Sequence, residues 1–256
     1  MGGKSVWGQF GDTAGVALQS RCWGHLGTGR CSNRIARLGV SERRTTAFGP
    51  KENNMAQVPT ISRWQEARRY LLNQRATVER DLRRLLADQG APLVICREVA
   101  SSVDHLGHLY TGSSQCGARF RAFMDQVLGE VDPNYRRRAG EVYQMYRCGT
   151  VHEFEPKVLE NRQGQTLAWL CYQGNRVQQQ IDLEGIGQLT VTHLKLTVFV
   201  AGRSFGLPVS TNCLLDDLVV AIDRFAAAGP ENERVTAWNR AVRELTALEP
   251  FDFTVP

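Results

Sequence analysis

The sequence has no uninterrupted apolar stretch of the roughly 18 residues that a membrane-spanning helix needs. Its N-terminus also lacks the order of a positively charged stretch followed by an apolar stretch that marks a secretory signal peptide. These two absences argue against insertion into a membrane and against export. The sequence therefore predicts a cytoplasmic protein with no membrane partner.

Zinc-site and disulfide patterns are missing as well. The chain has seven cysteines, which is an odd number, and they form neither a C-x-x-C pair nor a Cys/His cluster at zinc spacing. The P-loop, the G-x-S-x-G elbow and the H-E-x-x-H helix motif are also absent. We therefore expect reduced thiols, and neither a metal nor another cofactor. The cysteines are Cys22, Cys31, Cys96, Cys116, Cys148, Cys171 and Cys213.

Excess charge of one sign is confined to the beginning of the chain. Residues 1–54 contain eight Lys and Arg against three Asp and Glu, whereas the other 202 residues contain 23 of each kind. The formal net charge of +5 therefore lies entirely in residues 1–54. The composition of the whole chain, with 42% hydrophobic and 22% charged residues, is typical of a globular protein.

Residues 1–54 also hold 10 of the 24 glycines and show no sustained apolar period. One interpretation is a disordered basic arm that binds nucleic acid or a protein partner. The other is a mis-assigned leader, translated from a start upstream of the true first residue, Met55. Both interpretations predict that residues 1–54 are not part of the fold.

From Met55 onward the apolar residues recur with the period of an α-helix. Apolar stripes and capping residues predict four helices before residue 158, and the last of them begins with Asp132 as N-cap and Pro133 at its first position. This helix runs into Arg147. The predicted helices span about 62–88, 92–111, 114–128 and 133–147.

After Pro156 the pattern changes to short aliphatic and aromatic runs separated by turns that contain glycine, which favours strands. Two further helices follow, one from Ser210 or Thr211 to Gly229 and one over 231–247. The predicted fold class is α+β: an N-terminal helical bundle over 55–158, then a small antiparallel sheet and two C-terminal helices over 159–256, packed as one compact unit with two lobes. The predicted strands span 166–172, 176–183, 189–200 and 205–209.

Arg147 and His152 stand five residues apart at a predicted helix end. A guanidinium holds phosphoryl oxygens through charge-assisted hydrogen bonds. An imidazole that titrates near neutral pH can deprotonate a ribose 2′-hydroxyl or protonate a leaving oxygen without a metal. A structural interpretation stays open beside this one, in which Arg147 pairs with Glu153 or Glu155 and His152 caps a helix end.

The R-x4-H spacing of Arg147 and His152, preceded by four predicted helices, resembles the motif of the HEPN superfamily of small helical bundles. The resemblance covers about residues 60–165. It implies metal-independent RNA cleavage at a site shared across a homodimer, with Arg147 binding phosphate and His152 acting as general acid and base. Cys148 departs from the family, in which a polar residue often follows the arginine.

Several neighbouring residues are candidates for supporting roles. Glu141, six residues before Arg147, is expected to orient the dyad or else to face solvent as an ordinary helix glutamate. The run Arg136, Arg137 and Arg138, together with Tyr143, predicts either a phosphate-contacting patch or a solvated helix face.

Two other groups of titratable residues suggest chemistry less directly. Asp104, His105 and His108 form a D-H-x-x-H pattern that would place two histidines on one helix face, but no third ligand at suitable spacing follows. Asp216 and Asp217 fit the first turns of a helix, where the macrodipole favours anions.

Three functions remain after these exclusions. The first is a HEPN-like metal-independent ribonuclease or RNA-binding protein, which requires Arg147 and His152 to be exposed and to face the same cleft, so that burial of either in an ion pair or in the apolar core would count against it. The second is a non-catalytic module that binds a protein or a nucleic acid. The third is a small-molecule enzyme with a pocket between the two lobes.

Overall fold

The computed structural model describes residues 60–87, 92–149, 156–183, 187–200, 202–229 and 231–246. All of these residues belong to one compact unit. The predicted arm or leader over residues 1–54 lies outside them, and so does His152. The division into two lobes near residue 158 stays a prediction.

Six α-helices are described, four before the strands and two after them along the sequence. The predicted α+β class, with helices before and after a small sheet, is therefore confirmed. Asp132 caps the fourth helix as predicted, since its side chain accepts a hydrogen bond from the Asn134 N–H. No helix in the described ranges is both long and apolar enough to span a membrane. The helices are α1 (Thr60–Ala87), α2 (Pro92–Thr111), α3 (Cys116–Gln126), α4 (Pro133–Val142), α5 (Thr211–Ala227) and α6 (Asn232–Thr246).

Six strands are described, and they form a four-stranded sheet and a separate two-stranded hairpin. The strands are β1 (Leu159–Glu160), β2 (Thr166–Tyr172), β3 (Gln179–Leu183), β4 (Gly187–Val191), β5 (Thr197–Val200) and β6 (Ser204–Ser210). The predicted antiparallel sheet is wrong at its centre, because β2 and β6 pair in parallel, with Leu167 opposite Phe205. A parallel pair requires a long crossover, and the chain between β2 and β6 supplies one that contains β3, β4 and β5. The strand order in the four-stranded sheet is β1-β2-β6-β5, and β3 pairs with β4 in the hairpin.

The predicted single strand over 189–200 is also wrong, because it is interrupted between β4 and β5. Leu194 adopts a φ of 57°, a left-handed conformation that breaks an extended strand. The Leu194 N–H bonds to the Pro208 carbonyl at 2.8 Å, and its side chain is buried. The interruption places the neighbouring His193 in the interior, where it becomes part of a buried polar network.

The main hydrophobic core joins the helices to the inner face of β6. On α1 the apolar side chains of Trp64, Ala67, Leu71 and Leu82 are buried against neighbouring elements. α1 packs against α5, and α2 contacts α3, α5, α6 and β2. α2 is therefore the central helix, and polar residues on it are flanked on several sides.

Candidate functional site

Arg147 lies in a π-helical segment, Tyr143–Cys148, that directly continues α4. The Tyr143 N–H reaches the carbonyls of both Ala139 and Gly140 at the junction between the two helical types. π-helical turns are rare and occur frequently at functional sites. The wider turn carries Arg147 towards α2 and α3.

Arg147 is held there by a carboxylate. Its Nη2 donates to Asp104 Oδ2 of α2 at 3.1 Å, and only 16% of its side chain is exposed. Arg119 of α3 grips the same carboxylate with Nε to Oδ1 at 2.8 Å and Nη2 to Oδ2 at 2.7 Å. This two-bond grip is the geometry in which guanidinium and carboxylate match best. One buried carboxylate thus accepts hydrogen bonds from two arginines.

Burial of the Asp104 carboxyl favours its neutral form, yet the adjacent guanidinium groups of Arg119 and Arg147 outweigh burial and hold its pKa below the ordinary value. Asp104 is therefore ionised at neutral pH. Two guanidinium charges against one carboxylate leave the three-residue cluster with a surplus positive charge.

His108 and His105 do not join Asp104 in a metal site. Arg119 Nη1 lies 2.8 Å from His108 Nδ1, and because a guanidinium only donates, that nitrogen accepts. His105 instead contacts the Tyr70 hydroxyl at 2.8 Å, and burial, reinforced by the Arg119 charge, lowers its pKa. Among the described residues, no group of three or more His, Cys, Asp or Glu side chains is placed to hold a metal ion.

The other face of His108 contacts α6 at long range. His108 Nε2 lies 3.4 Å from Glu244 Oε2, which is within ion-pair distance, but the two atoms make no hydrogen bond of acceptable geometry. With Nδ1 accepting from Arg119, the ring is best described as neutral, so we do not count the contact with Glu244 as an ion pair.

The Arg147 guanidinium has donors that nothing in the described part of the chain uses. Its Nε and Nη1 are buried and have no hydrogen-bond partner there. A buried donor left unpaired costs about 1–3 kcal/mol, and more when it is charged. An anion that accepted hydrogen bonds from these groups would recover that free energy.

Tyr143 lies close to Arg147, and its ring has two neighbouring side chains. The ring is 5.4 Å from that of Phe120, and the Arg121 guanidinium lies 5.6 Å from its centroid. Burial and a hydrogen bond with the Cys148 thiol raise the pKa of its hydroxyl. Tyr143 therefore packs beside the site with a partly buried ring.

The other predicted site residues are engaged elsewhere. Arg138 Nη1 donates to Glu141 Oε1 at 2.9 Å, so the described partner of Glu141 is Arg138 and not Arg147. Arg136 donates to Asp125 and Glu130, and Arg137 is exposed. Acidic side chains thus neutralise much of the predicted basic patch. The partner predicted for Arg147, His152, lies outside the described residues.

A second buried polar network connects α4, α5 and the loop before β5. The Tyr135 hydroxyl donates to Asp217 Oδ2 at 2.7 Å and lies 3.1 Å from His193 Nε2. Arg176 pairs with both Asp132 and Asp217. Asp217 is therefore a member of this network, contrary to its interpretation as a residue favoured by the helix dipole, whereas Asp216 is exposed and pairs with Arg83.

His193 in this network is neutral. Its Nδ1 accepts from the Ser210 N–H at 3.0 Å, so its proton is on Nε2, which faces Tyr135. Burial, reinforced by the Arg176 charge, lowers the pKa of His193 to about 3. Asp217 Oδ2 lies 3.9 Å from His193 Nε2, but that contact is not an ion pair while the imidazole is uncharged. Because the network's hydrogen bonds are made within the fold, we assign it a structural role.

An apolar cavity among the described residues has a volume of about 20 Å³ and no charged side chain in its lining, which includes Cys96, Phe120 and Leu214. It lacks the convergent polar groups of a substrate pocket. Comparison of the chain with protein-family models, with curated proteins and with solved structures finds no match. The geometry of the Asp104 cluster is therefore the main guide to function.

The first prediction concerns Asp104. Replacing Asp104 with Ala or Asn leaves two guanidinium charges beside each other in a largely buried place, so we expect a loss of about 3–5 kcal/mol in the free energy of unfolding. Asp125→Ala, which removes the partner of exposed Arg136, is the matched control and should cost less than about 1 kcal/mol. Urea denaturation followed by circular dichroism measures both. Similar values for Asp104→Asn and Asp125→Ala would contradict the assignment.

The second prediction concerns the pH dependence set by His193. The unfolded chain binds a proton at His193 near pH 6.5, whereas the folded chain resists it down to about pH 3. The unfolded state therefore holds more protons in this window, and stability should fall as the pH drops through it, by up to about 1.4 kcal/mol per pH unit from this residue.

Comparison with His193→Gln isolates this contribution, because other groups also titrate. Burial raises the pKa of Asp217, for example, which works in the opposite direction. Urea denaturation at a series of pH values should give a shallower loss of stability between pH 6.5 and about pH 4 in the variant than in the native chain. Identical slopes would show that His193 is not held neutral.

Proposed function

We propose that the chain is a non-catalytic RNA-binding module in which Arg147 contacts a phosphate of the RNA backbone. The observation that carries the proposal is the incomplete hydrogen bonding of Arg147 beside Asp104. Two guanidinium groups depend on one carboxylate, and the Nε and Nη1 donors of Arg147 are not used by the described residues.

The chemistry of the cluster favours a phosphate over a neutral ligand. A surplus positive charge attracts an anion, and guanidinium N–H groups match phosphate oxygens. Asp104 also fixes one edge of Arg147 in advance, so that less side-chain entropy is lost when the ligand binds. The resemblance of the R-x4-H spacing to the HEPN motif makes RNA the chosen source of that phosphate.

The surroundings of Arg147 support binding more directly than catalysis. A cleavage dyad needs a general acid and base beside the arginine, but the described partner of Arg147 is the carboxylate of Asp104, and His152 lies outside the described residues. This pairing is the reason that we place binding ahead of cleavage. A HEPN-like metal-independent ribonuclease, with His152 as general acid and base, remains the alternative.

The third prediction tests the proposal by RNA affinity. We expect the full-length chain to bind a fluorescently labelled single-stranded RNA, and Arg147→Ala to weaken binding by about tenfold or more through loss of a charge-assisted hydrogen bond. Its slope of log affinity against log salt should be smaller by about 0.7, the value for one phosphate contact with a single strand. Arg147→Ala should still fold, since Arg119 continues to neutralise Asp104.

The matched control is Arg75→Ala, which removes a partly buried arginine paired with Glu79 and Asp223 elsewhere on the molecule. Equal affinities and equal salt slopes for the Arg147 and Arg75 variants would exclude Arg147 as the contact. The same samples incubated in EDTA distinguish the alternative. RNA cleavage that is lost in both Arg147→Ala and His152→Ala would establish the ribonuclease and overturn the non-catalytic module.

A further inference from the structure

Two thiols that are distant in the sequence touch each other beneath the helices. Cys96 Sγ of α2 lies 3.2 Å from Cys171 Sγ of β2, which is closer than two sulfur atoms in ordinary van der Waals contact. Cys96 is buried and Cys171 is partly exposed. The Tyr146 hydroxyl lies 3.4 Å from Cys171 Sγ. The sequence offered no sign of this pairing, because the two cysteines are 75 positions apart.

We propose that Cys96 and Cys171 are a redox-active pair that forms a reversible disulfide, joining α2 to β2, when the protein meets a hydroperoxide. The contact satisfies the main requirement for such a bond, which is that the two sulfur atoms already face each other. Closure to a bonded distance of about 2.05 Å requires an approach of roughly 1.2 Å. The apolar cavity that Cys96 lines gives neighbouring side chains room to follow this movement.

The unequal exposure of the two thiols assigns the order of steps. Cys171 is the more exposed residue of the two; its thiolate attacks the peroxide oxygen, the O–O bond breaks, and Cys171 becomes a sulfenic acid while the peroxide is reduced to water or an alcohol. The Cys96 sulfur then attacks the sulfenic sulfur, the S–O bond breaks, and a second water leaves with the Cys96 proton. The pair loses two electrons, and a small thiol can return them by exchange.

The bond would connect the central helix to the sheet. It closes a loop between residues 96 and 171 that contains α3, α4 and the Arg147 segment, so the unfolded chain would lose much of its freedom. We therefore expect oxidation to raise the thermal midpoint by roughly 5–15 °C. This inference rests on the sulfur contact alone and does not depend on RNA binding.

The other described cysteines are built differently and supply the controls. Cys148 pairs with the Tyr143 hydroxyl, and Cys213 Sγ lies 4.0 Å from the Gly174 carbonyl. Cys116, at the start of α3, is partly exposed like Cys171. Cys116→Ser is thus a matched variant that removes a similarly accessible thiol and leaves the proposed pair intact.

The fourth prediction tests the pair by peptide mapping of the full-length chain. After exposure to hydrogen peroxide, the free thiols are blocked and the protein is digested with trypsin without reduction. We expect a cross-linked product of the peptides 85–97 and 163–176, each of which holds a single cysteine, Cys96 and Cys171 respectively. The product should disappear on treatment with dithiothreitol, and it should still form in Cys116→Ser.

The thermal midpoint provides a second, independent readout. Oxidation should raise it in the native chain and in Cys116→Ser, and the rise should be absent in Cys96→Ser and Cys171→Ser. The mapping experiment needs no variant, so it decides the matter even if a serine variant fails to fold. Absence of the 85–97 and 163–176 product from oxidised native protein, or its appearance with no change in midpoint, would overturn the proposal.

Discussion

The ionised carboxylate of Asp104 is the interaction on which the candidate site depends. It lies on the central helix α2 and binds Arg119 of α3 and Arg147 of the π-helical segment after α4, so one side chain connects three parts of the bundle. A charge in this place is tolerated only because guanidinium groups surround it. The arginines in turn owe their position, and their incomplete neutralisation, to that single carboxylate. The Asp104 carboxylate therefore both positions the two arginines in the fold and leaves unused the Arg147 donors on which the proposed function rests.

The network around Asp217 also pairs buried carboxylates with a guanidinium group, but here the carboxylates outnumber the arginine. There Arg176 faces two carboxylates, and the buried hydroxyl of Tyr135 and the neutral ring of His193 complete the hydrogen bonding. No buried side-chain nitrogen or oxygen of these described residues lacks a hydrogen-bond partner, which gives this network a part in holding helices, β6 and the loop before β5 together. The contrast with the Asp104 cluster, where donors of Arg147 are left over, is the reason that we place a ligand at one network and not at the other.

Local order was predictable from the sequence, and contacts between distant residues were not. Ala67 and Leu71 lie on an apolar helical stripe that the period of 3.6 residues predicts, and Asp132, as a capping residue, predicts the start of its helix. Strand direction at β2 and β6 is decided by a crossover whose path has no local signature, and the break at Leu194 depends on its bond to Pro208. The Asp104 pairing joins residues 15 and 43 positions apart, which no spacing rule could connect. Arg147 was singled out from its spacing to His152; its partner in the described structure is the carboxylate of Asp104, and His152 lies outside the described residues.

The most direct test of the account is the NMR resonance of the Arg147 Nε–H group, recorded with and without a single-stranded RNA and identified by its loss in Arg147→Lys. We predict that RNA shifts this resonance and slows the exchange of its proton, because a phosphate oxygen accepts it. The Arg119 Nε–H resonance should change little, since Asp104 already binds that group. RNA that binds while the Arg147 resonance stays where it was would contradict the central claim and return Arg147 to a purely structural role.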